Sequence, residues 1–293
     1  MESLEPVSAR VHAILARESN RAVVFRRGPS DQVAVIGWDR GNDTFLPGQW
    51  FHGRIYEYRC DLTPDGKHLL YFAADYARRK EDEDSGAESR FTSWTAISRA
   101  PYLKALALWW NGTGWNGGGL FRSNREFWLN RPPERIAETV PERSSREFRE
   151  VPPPPEFQEE FGWGSPGECP MVYFPRLERD GWRLIKTVNE AGFFYEKPLP
   201  GGLRLIKIFC CDWSCKRPGY GVYYENHELR SESGELLLDA PGWRWADYDA
   251  RRKRIVFAEN GAIRALLPHR PDSPPKRLCD FNDMKFEPRP APY

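Results

Sequence analysis

The chain has 293 residues, 40% of them hydrophobic and 14% aromatic, enough for one large all-β domain or two average ones. Its 43 basic and 42 acidic residues leave a net charge of +1, so no global field draws in nucleic acid or an anionic membrane. No run of about 18 apolar residues is present, which argues against a membrane-spanning helix. No apolar core of signal-peptide type follows Met1 to Pro6, so a cytoplasmic protein with mostly reduced cysteines is expected.

Residues 10–55 alternate apolar and polar positions. Val11 to Leu15, Ala22 to Phe25 and Gln32 to Trp38 read as strands, and a fourth lies near Phe45 to Phe51. Turn sequences at Ser19-Asn20 and Gly28 to Asp31 part the first three. Residues 56–112 repeat the pattern: Tyr56 to Leu62, a Pro64-Asp65-Gly66 turn, His68 to Ala73, Trp94 to Ser98 and Leu103 to Trp110. The charged stretch Arg78 to Arg90 interrupts this set as a loop.

Residues 113–178 are less regular. Gly117 to Phe121 and Glu126 to Leu129 read as strands. The stretch 131–164 is a Pro- and charge-rich insertion that holds one short helix, Pro133 to Val140, or stays extended; Cys169 to Phe174 then resumes strand character. Residues 179–240 give strands at Trp182 to Val188, Gly192 to Glu196, Leu203 to Phe209, Tyr220 to Glu225, Glu228 to Arg230 and Glu235 to Leu238. Pro200-Gly201-Gly202 and Ser233-Gly234 serve as hairpin turns. In residues 241–285 the strands are Trp243 to Tyr248, Ile255 to Ala258, Ala262 to Leu267 and Lys276 to Phe281, with Asn260-Gly261 as a strong hairpin signal.

An internal repeat unites these strands. Asp61 to Phe72 aligns without gaps on Asp247 to Ala258, and Leu15 to Phe25 fits the same frame more loosely. Each copy is a short strand, a polar turn, a basic residue and an apolar strand. Phe25 to Tyr71 is a step of 46 residues, and Tyr71 to Phe257 is 186, close to four such steps. Propeller blades run about 40–50 residues. The expected fold is therefore an all-β propeller over residues 10–285, with blades near 10–55, 56–112, 113–178, 179–240 and 241–285. Five four-stranded blades are preferred because the insertion takes up most of one step. Six blades, or a β-sandwich, are the alternatives.

Asp61-Leu62-Thr63-Pro64-Asp65-Gly66-Lys67 and the apolar strand after it resemble the blade signature of WD40-like and TolB-like propellers. There a Ser/Thr-Pro-Asp-Gly turn joins the first two strands. The likeness covers about a dozen residues in one blade and half that in another, and Trp38-Asp39 stands alone as a Trp-Asp pair. It implies a fold and no activity, since propellers host enzymes, receptors and scaffolds alike.

Catalytic motifs are weak by comparison. Gly112 to Gly117 spells G-x-G-x-x-G, but Gly118-Gly119-Leu120-Phe121 is a poor helix start, so the run reads as a turn between blades and no cofactor is expected. Cys211 and Cys215 are spaced to supply two thiolates to a metal, with Cys169, Cys279 or His227 to complete a site. No second cysteine pair supports them. Asp61 and Asp247 hold equivalent positions in the repeat. They are the candidate acid and base of a glycoside-directed propeller hydrolase, although such repeated aspartates more often bond turn amides. There is no H-E-x-x-H and no G-x-S-x-G. The basic run Arg251 to Arg254 falls in a turn, so nucleic acid is not an expected partner.

The preferred reading is a non-catalytic, protein-binding scaffold or accessory subunit. Its candidate contacts are Arg79 and Lys80 in the charged loop, Trp163 in the insertion, and the aromatic residues Trp110 and Trp115. The hydrolase and a zinc-stabilised binding module are the other readings.

Overall fold

The computed structural model describes residues 7–28, 31–76, 92–111, 114–131, 139–143, 145–153, 169–188, 192–212 and 221–293. The first sheet, in order β1-β2-β3-β4, is β1 (Arg10–Leu15), β2 (Arg21–Arg27), β3 (Gln32–Asp39) and β4 (Thr44–His52). The second contains β5 (Arg54–Ile55), β6 (Asp61–Leu62), β7 (His68–Ala74), β8 (Ser93–Arg99) and β9 (Ala105–Asn111). The third is β10 (Gly119–Phe121), β11 (Glu126–Leu129) and β13 (Arg149–Glu150). Between the last two, β12 (Thr139–Arg143) leaves the third sheet and pairs with β9, giving the order β12-β9-β8-β7-β5 with β6 beside β7. A helix, α1 (Cys169–Arg179), precedes the fourth sheet: β14 (Arg183–Val188), β15 (Gly192–Pro198), β16 (Arg204–Cys211), β17 (Tyr223–Arg230) and β18 (Leu236–Ala240). The fifth is β19 (Trp245–Asp249), β20 (Arg254–Glu259), β21 (Ala262–Leu266) and β22 (Lys276–Asp280). Five small sheets formed in succession along the chain place the protein in the all-β, five-bladed propeller class.

The repeat is carried in the register. Asp61 pairs with Leu70 and Leu62 with Leu69; at the aligned positions Asp247 pairs with Val256 and Tyr248 with Ile255. The turn bond is conserved between the copies too, with Gly66 N–H donating to Thr63 O (2.8 Å) and Arg252 N–H to Asp249 O (3.2 Å). The first copy needs glycine: Gly66 has φ +73°, and a Cβ there would fall 2.5 Å from the Arg21 Cβ. The second reaches a left-handed residue one step later, at Lys253 with φ +50°. Asn260 and Gly261 both have positive φ and join β20 to β21 through the pair Glu259 and Ala262, as a two-residue hairpin with both centres left-handed requires.

The chain divides into two compact units, Met1–Ala13 with Phe25–Ser30 and Gly181–Lys285, and Ile14–Val24 with Asp31–Asp180 and Phe286–Tyr293. In the second unit the two faces of the third sheet are used differently. Phe121, Phe127 and Leu129 join Leu70, Ile97, Ala107, Trp109 and Phe148 in one apolar cluster. Their alternate neighbours Leu120 and Trp128 turn the other way, onto Val172 of α1.

Three expectations need correction. Residues Cys169 to Phe174 are helix, not strand: every residue from Cys169 to Leu177 is buried, and Pro170 sits in the first turn, where a missing N–H costs nothing. Residues 133–138 of the stretch expected as a short helix or as extended chain lie outside the described residues, and its last two, Thr139 and Val140, are in strand β12. The third sheet has three strands among the described residues, and β11 pairs with β13 in parallel.

Candidate functional site

Asp61 anchors one buried network in the second unit. β6 presents its side chain inward at 0% exposure, and the last turn of α1 brings Arg179 to it. The pair is bidentate, Nη1 to Oδ2 at 2.6 Å and Nη2 to Oδ1 at 2.9 Å. Phe121 N–H donates to Oδ2 at 2.7 Å, and Arg179 Nη1 donates to Phe121 O at 3.1 Å, so helix, β6 and β10 are tied at one point. Asp180 holds the other edge of the same guanidinium, Oδ1 to Nε at 2.8 Å. Burial works to raise the Asp61 carboxyl, but Arg179, with Arg17 and Arg176 nearby, overrides it and holds the group below the ordinary carboxylate range. Arg17 moves down, first by burial and then by repulsion from Arg179. A carboxylate so held keeps its charge, and its bonds join helix α1 to β6 and β10.

Asp247 lies in the other unit and is 18% exposed. It accepts from Lys197 Nζ (2.5 Å) and from the backbone N–H of Tyr248 (2.7 Å). Lys197 Nζ also lies over the Trp182 ring, 5.1 Å from its centroid. Both repeat aspartates thus hold a cation and a backbone amide.

A second buried cluster, which the sequence reading missed, lies on β16 and β17. Register places Lys207 opposite His227 and Phe209 opposite Glu225, so the three polar side chains share one face. Lys207 Nζ donates to Glu225 Oε2 (2.5 Å) and to Ala246 O (3.2 Å), and lies 4.9 Å from the Trp182 centroid. His227 Nδ1 donates to Trp243 O at 3.0 Å, which leaves Nε2 to accept from Lys207 at 3.2 Å. Burial, with Lys207 beside it, pushes the His227 imidazole down and keeps it neutral. Burial also lowers Lys207, against the pull of Glu225. Glu225 is driven well below its ordinary value despite burial, mainly by Lys207. The lysine is 1% exposed, so its amine does not meet a substrate from solvent.

Other candidates are placed as follows. The glycine run enters strand β10 at Gly119, not a helix; Gly117 and Gly118 have φ +115° and +81°, and a Cβ on Gly118 would lie 2.2 Å from Arg59 O. The run is a tight crossing of two backbones. Cys211 is buried at the end of β16, while Cys215 lies outside the described residues. Among the described residues no three His, Cys, Asp or Glu side chains are grouped to hold a metal ion. Arg79, Lys80 and Trp163 also lie outside the described residues.

Trp115 and Trp110 are both described. Trp115 is 49% exposed and Tyr76 43%. The Tyr56 and Tyr76 hydroxyls are 2.6 Å apart, the Arg54 guanidinium lies 4.3 Å from the Tyr56 centroid, and Gly114 sits against the Tyr76 hydroxyl. Arg59 underpins the patch from inside, with Nη1 donating to the carbonyls of Gly114 (2.8 Å) and Trp115 (3.1 Å). Half-buried Trp110 packs edge-on against Trp94 at 5.6 Å, and Trp94 against Phe51 at 5.5 Å. Exposed Arg54, Tyr76 and Trp115 with half-buried Tyr56, and the buried Arg59 guanidinium bonded to the Gly114 and Trp115 carbonyls, are the candidate site.

The fold is a five-bladed propeller whose described residues include buried charge clusters at Asp61–Arg179 and Lys207–Glu225 and an arginine-aromatic group at Arg54, Tyr56 and Tyr76. No protein family and no curated protein matches the chain. Among solved structures it is similar to prolyl oligopeptidase B from Galerina marginata, at 11% identity and TM-score 0.23, over 93% of this chain and 34% of that one. It is also similar to an uncharacterised protein from Listeria monocytogenes, at 9% identity and TM-score 0.24, over 96% of this chain and 85% of that one. The chain spans about a third of the oligopeptidase. No helix among the described residues is long and apolar enough to cross a membrane.

Proposed function

We propose that the protein is a non-catalytic, protein-binding scaffold or accessory subunit, and that the Arg54–Tyr56–Tyr76–Trp115 patch is its main contact. The observation that carries this reading is the exposure of Tyr76 and Trp115 beside a stacked arginine, 43% and 49%, on a backbone pinned from within by Arg59. Tyr, Trp and Arg dominate binding energy at protein interfaces because they bury large area at low conformational cost. Arg79, Lys80, Trp110 and Trp163 remain candidate flanking contacts. The buried ionisable residues support the same reading, since Asp61 is paired with Arg179 and Lys207 with Glu225 inside the protein.

Affinity isolation from the native host tests this. The tagged wild-type chain is compared with the Tyr76→Ala, Trp115→Ala variant, and the melting temperature of each confirms an intact fold. A stoichiometric protein that accompanies the wild type and is lost from the variant supports the reading. A chain isolated alone in both cases counts against it.

A further inference from the structure

Residues 286–293 are an extended segment already seated in a site. The Phe286 ring rests on Trp50 (5.7 Å) and His52 (6.3 Å). Gln49 Nε2 donates to Arg289 O at 2.8 Å, while Gln49 Oε1 accepts from the N–H groups of Leu103 (2.7 Å) and Lys104 (3.2 Å). Tyr293 is half-buried and is the segment's main anchor. Its hydroxyl donates to Lys104 O at 2.6 Å and accepts from Arg99 N–H at 3.0 Å. Its ring lies under the Arg99 guanidinium (4.7 Å) and Lys104 Nζ (5.3 Å), with Tyr102 edge-on at 6.3 Å. Lys104 Nζ also donates to the Tyr293 main-chain oxygen.

The receiving turn between β8 and β9 is firmly built. Ser98 Oγ donates to Tyr102 O and Tyr71 OH to Leu103 O, both at 2.6 Å, and Ala100 N–H donates to Lys67 O at 2.9 Å. The segment, by contrast, is held at three points, and six of its eight residues are exposed. Prolines at 288, 290 and 292 fix their own φ and keep the residues before them extended, so little freedom is lost on docking. A firmly built turn and an exposed, pre-extended occupant anchored chiefly through Phe286, Arg289 and Tyr293 are the conditions for exchange. The same turn also lines a cavity of about 360 Å³, through Ala100, Pro101 and Tyr102 together with Arg21, Trp38 and Leu46.

We propose that Arg99, Tyr102, Lys104 and Gln49 form a recognition site for an extended, proline-spaced, tyrosine-bearing segment of another protein, and that residues 286–293 occupy it until such a segment displaces them. This site uses none of the residues of the Tyr76–Trp115 patch, so the two readings stand or fall separately. Displacement is opposed by the high effective concentration of the attached segment, on the order of millimolar.

The test uses the full chain and a synthetic peptide of residues 286–293, Phe-Glu-Pro-Arg-Pro-Ala-Pro-Tyr-amide, labelled at its phenylalanine end and followed by fluorescence anisotropy. The Phe286→Ser, Tyr293→Ala chain, which releases both aromatic anchors, is expected to bind it at least tenfold more tightly than the wild type. Adding Arg99→Ala to that chain, or replacing the peptide tyrosine by alanine, is expected to remove the gain. Melting temperatures check that each variant is folded. Equal affinity of the released and wild-type chains overturns the proposal, as does binding that ignores the peptide tyrosine. A concentration-dependent dimer of the wild type without peptide would also overturn it, by showing that the site serves exchange between copies.

Discussion

Replacing Asp61 by Asn separates a structural carboxylate from a catalytic one. Asp61 is fully buried and Arg179 has 12% of its side chain exposed, so the pair is little screened by solvent. Removing one partner of such a pair costs about 3–5 kcal/mol, most of it the penalty of a buried, uncompensated cation. Here Asp180 still holds Arg179 Nε, and the amide oxygen can still accept the Phe121 N–H, so the lower end, about 3 kcal/mol, is expected. Urea unfolding at pH 7 would read this as a lower midpoint with an unchanged slope. The acid side gives a second signature. The folded Asp61 carboxyl lies below its unfolded value, so its contribution is complete above the ordinary carboxylate range and is lost as pH falls through the folded value. The wild type should therefore lose stability below about pH 4 more steeply than Asp61→Asn. Superimposable urea curves at pH 7 would refute the structural role and return Asp61 to the candidate acid-base groups.

Two further substitutions probe other parts of the fold. The folded imidazole of His227 is depressed below its unfolded value near pH 6.5, so the unfolded chain takes up the proton first and stability falls as pH drops from there. His227→Gln should reduce the proton uptake on unfolding as pH falls below about 6.5, measured from the pH dependence of the urea midpoint; an unchanged slope would show that His227 is not buried neutral. Gly66→Ala must place a Cβ 2.5 Å from the Arg21 Cβ at φ +73°, and a loss of about 2 kcal/mol is expected in thermal unfolding; no measurable loss would show that the turn relaxes around the new Cβ.

Much of the fold was legible because it rests on local signals. The Asp61 and Asp247 hairpins align in sequence and share a register, and Asn260-Gly261 forms the two-residue turn that its left-handed preference requires. Helix α1 was not legible: Cys169 to Phe174 was expected as strand, whereas burial of Cys169 to Leu177 and the bonds of Arg176 and Arg179 hold the segment helical. The Lys207–Glu225–His227 cluster left one clue, a lysine amid the apolar residues of Leu205 to Phe209. Its partners are set by strand register, which one strand read alone does not contain. Of the site residues, Trp115 proved exposed, but Tyr56, Tyr76 and Arg54 join it only through the fold. The alternating prolines at 288, 290 and 292 were the available sign of an extended segment, and the clamp around Tyr293 depends on a turn almost 200 residues earlier.

The most direct measurement is the affinity of the isolated partner protein, once recovered, for the purified wild-type chain and for the Tyr76→Ala, Trp115→Ala variant, by isothermal titration calorimetry. Truncating two central aromatic anchors should weaken binding by about 2–4 kcal/mol, a loss of thirtyfold or more, with the melting temperature of the free chain nearly unchanged. Equal affinities for the two chains would contradict the account, because the patch that carries it would then contribute nothing to the interface.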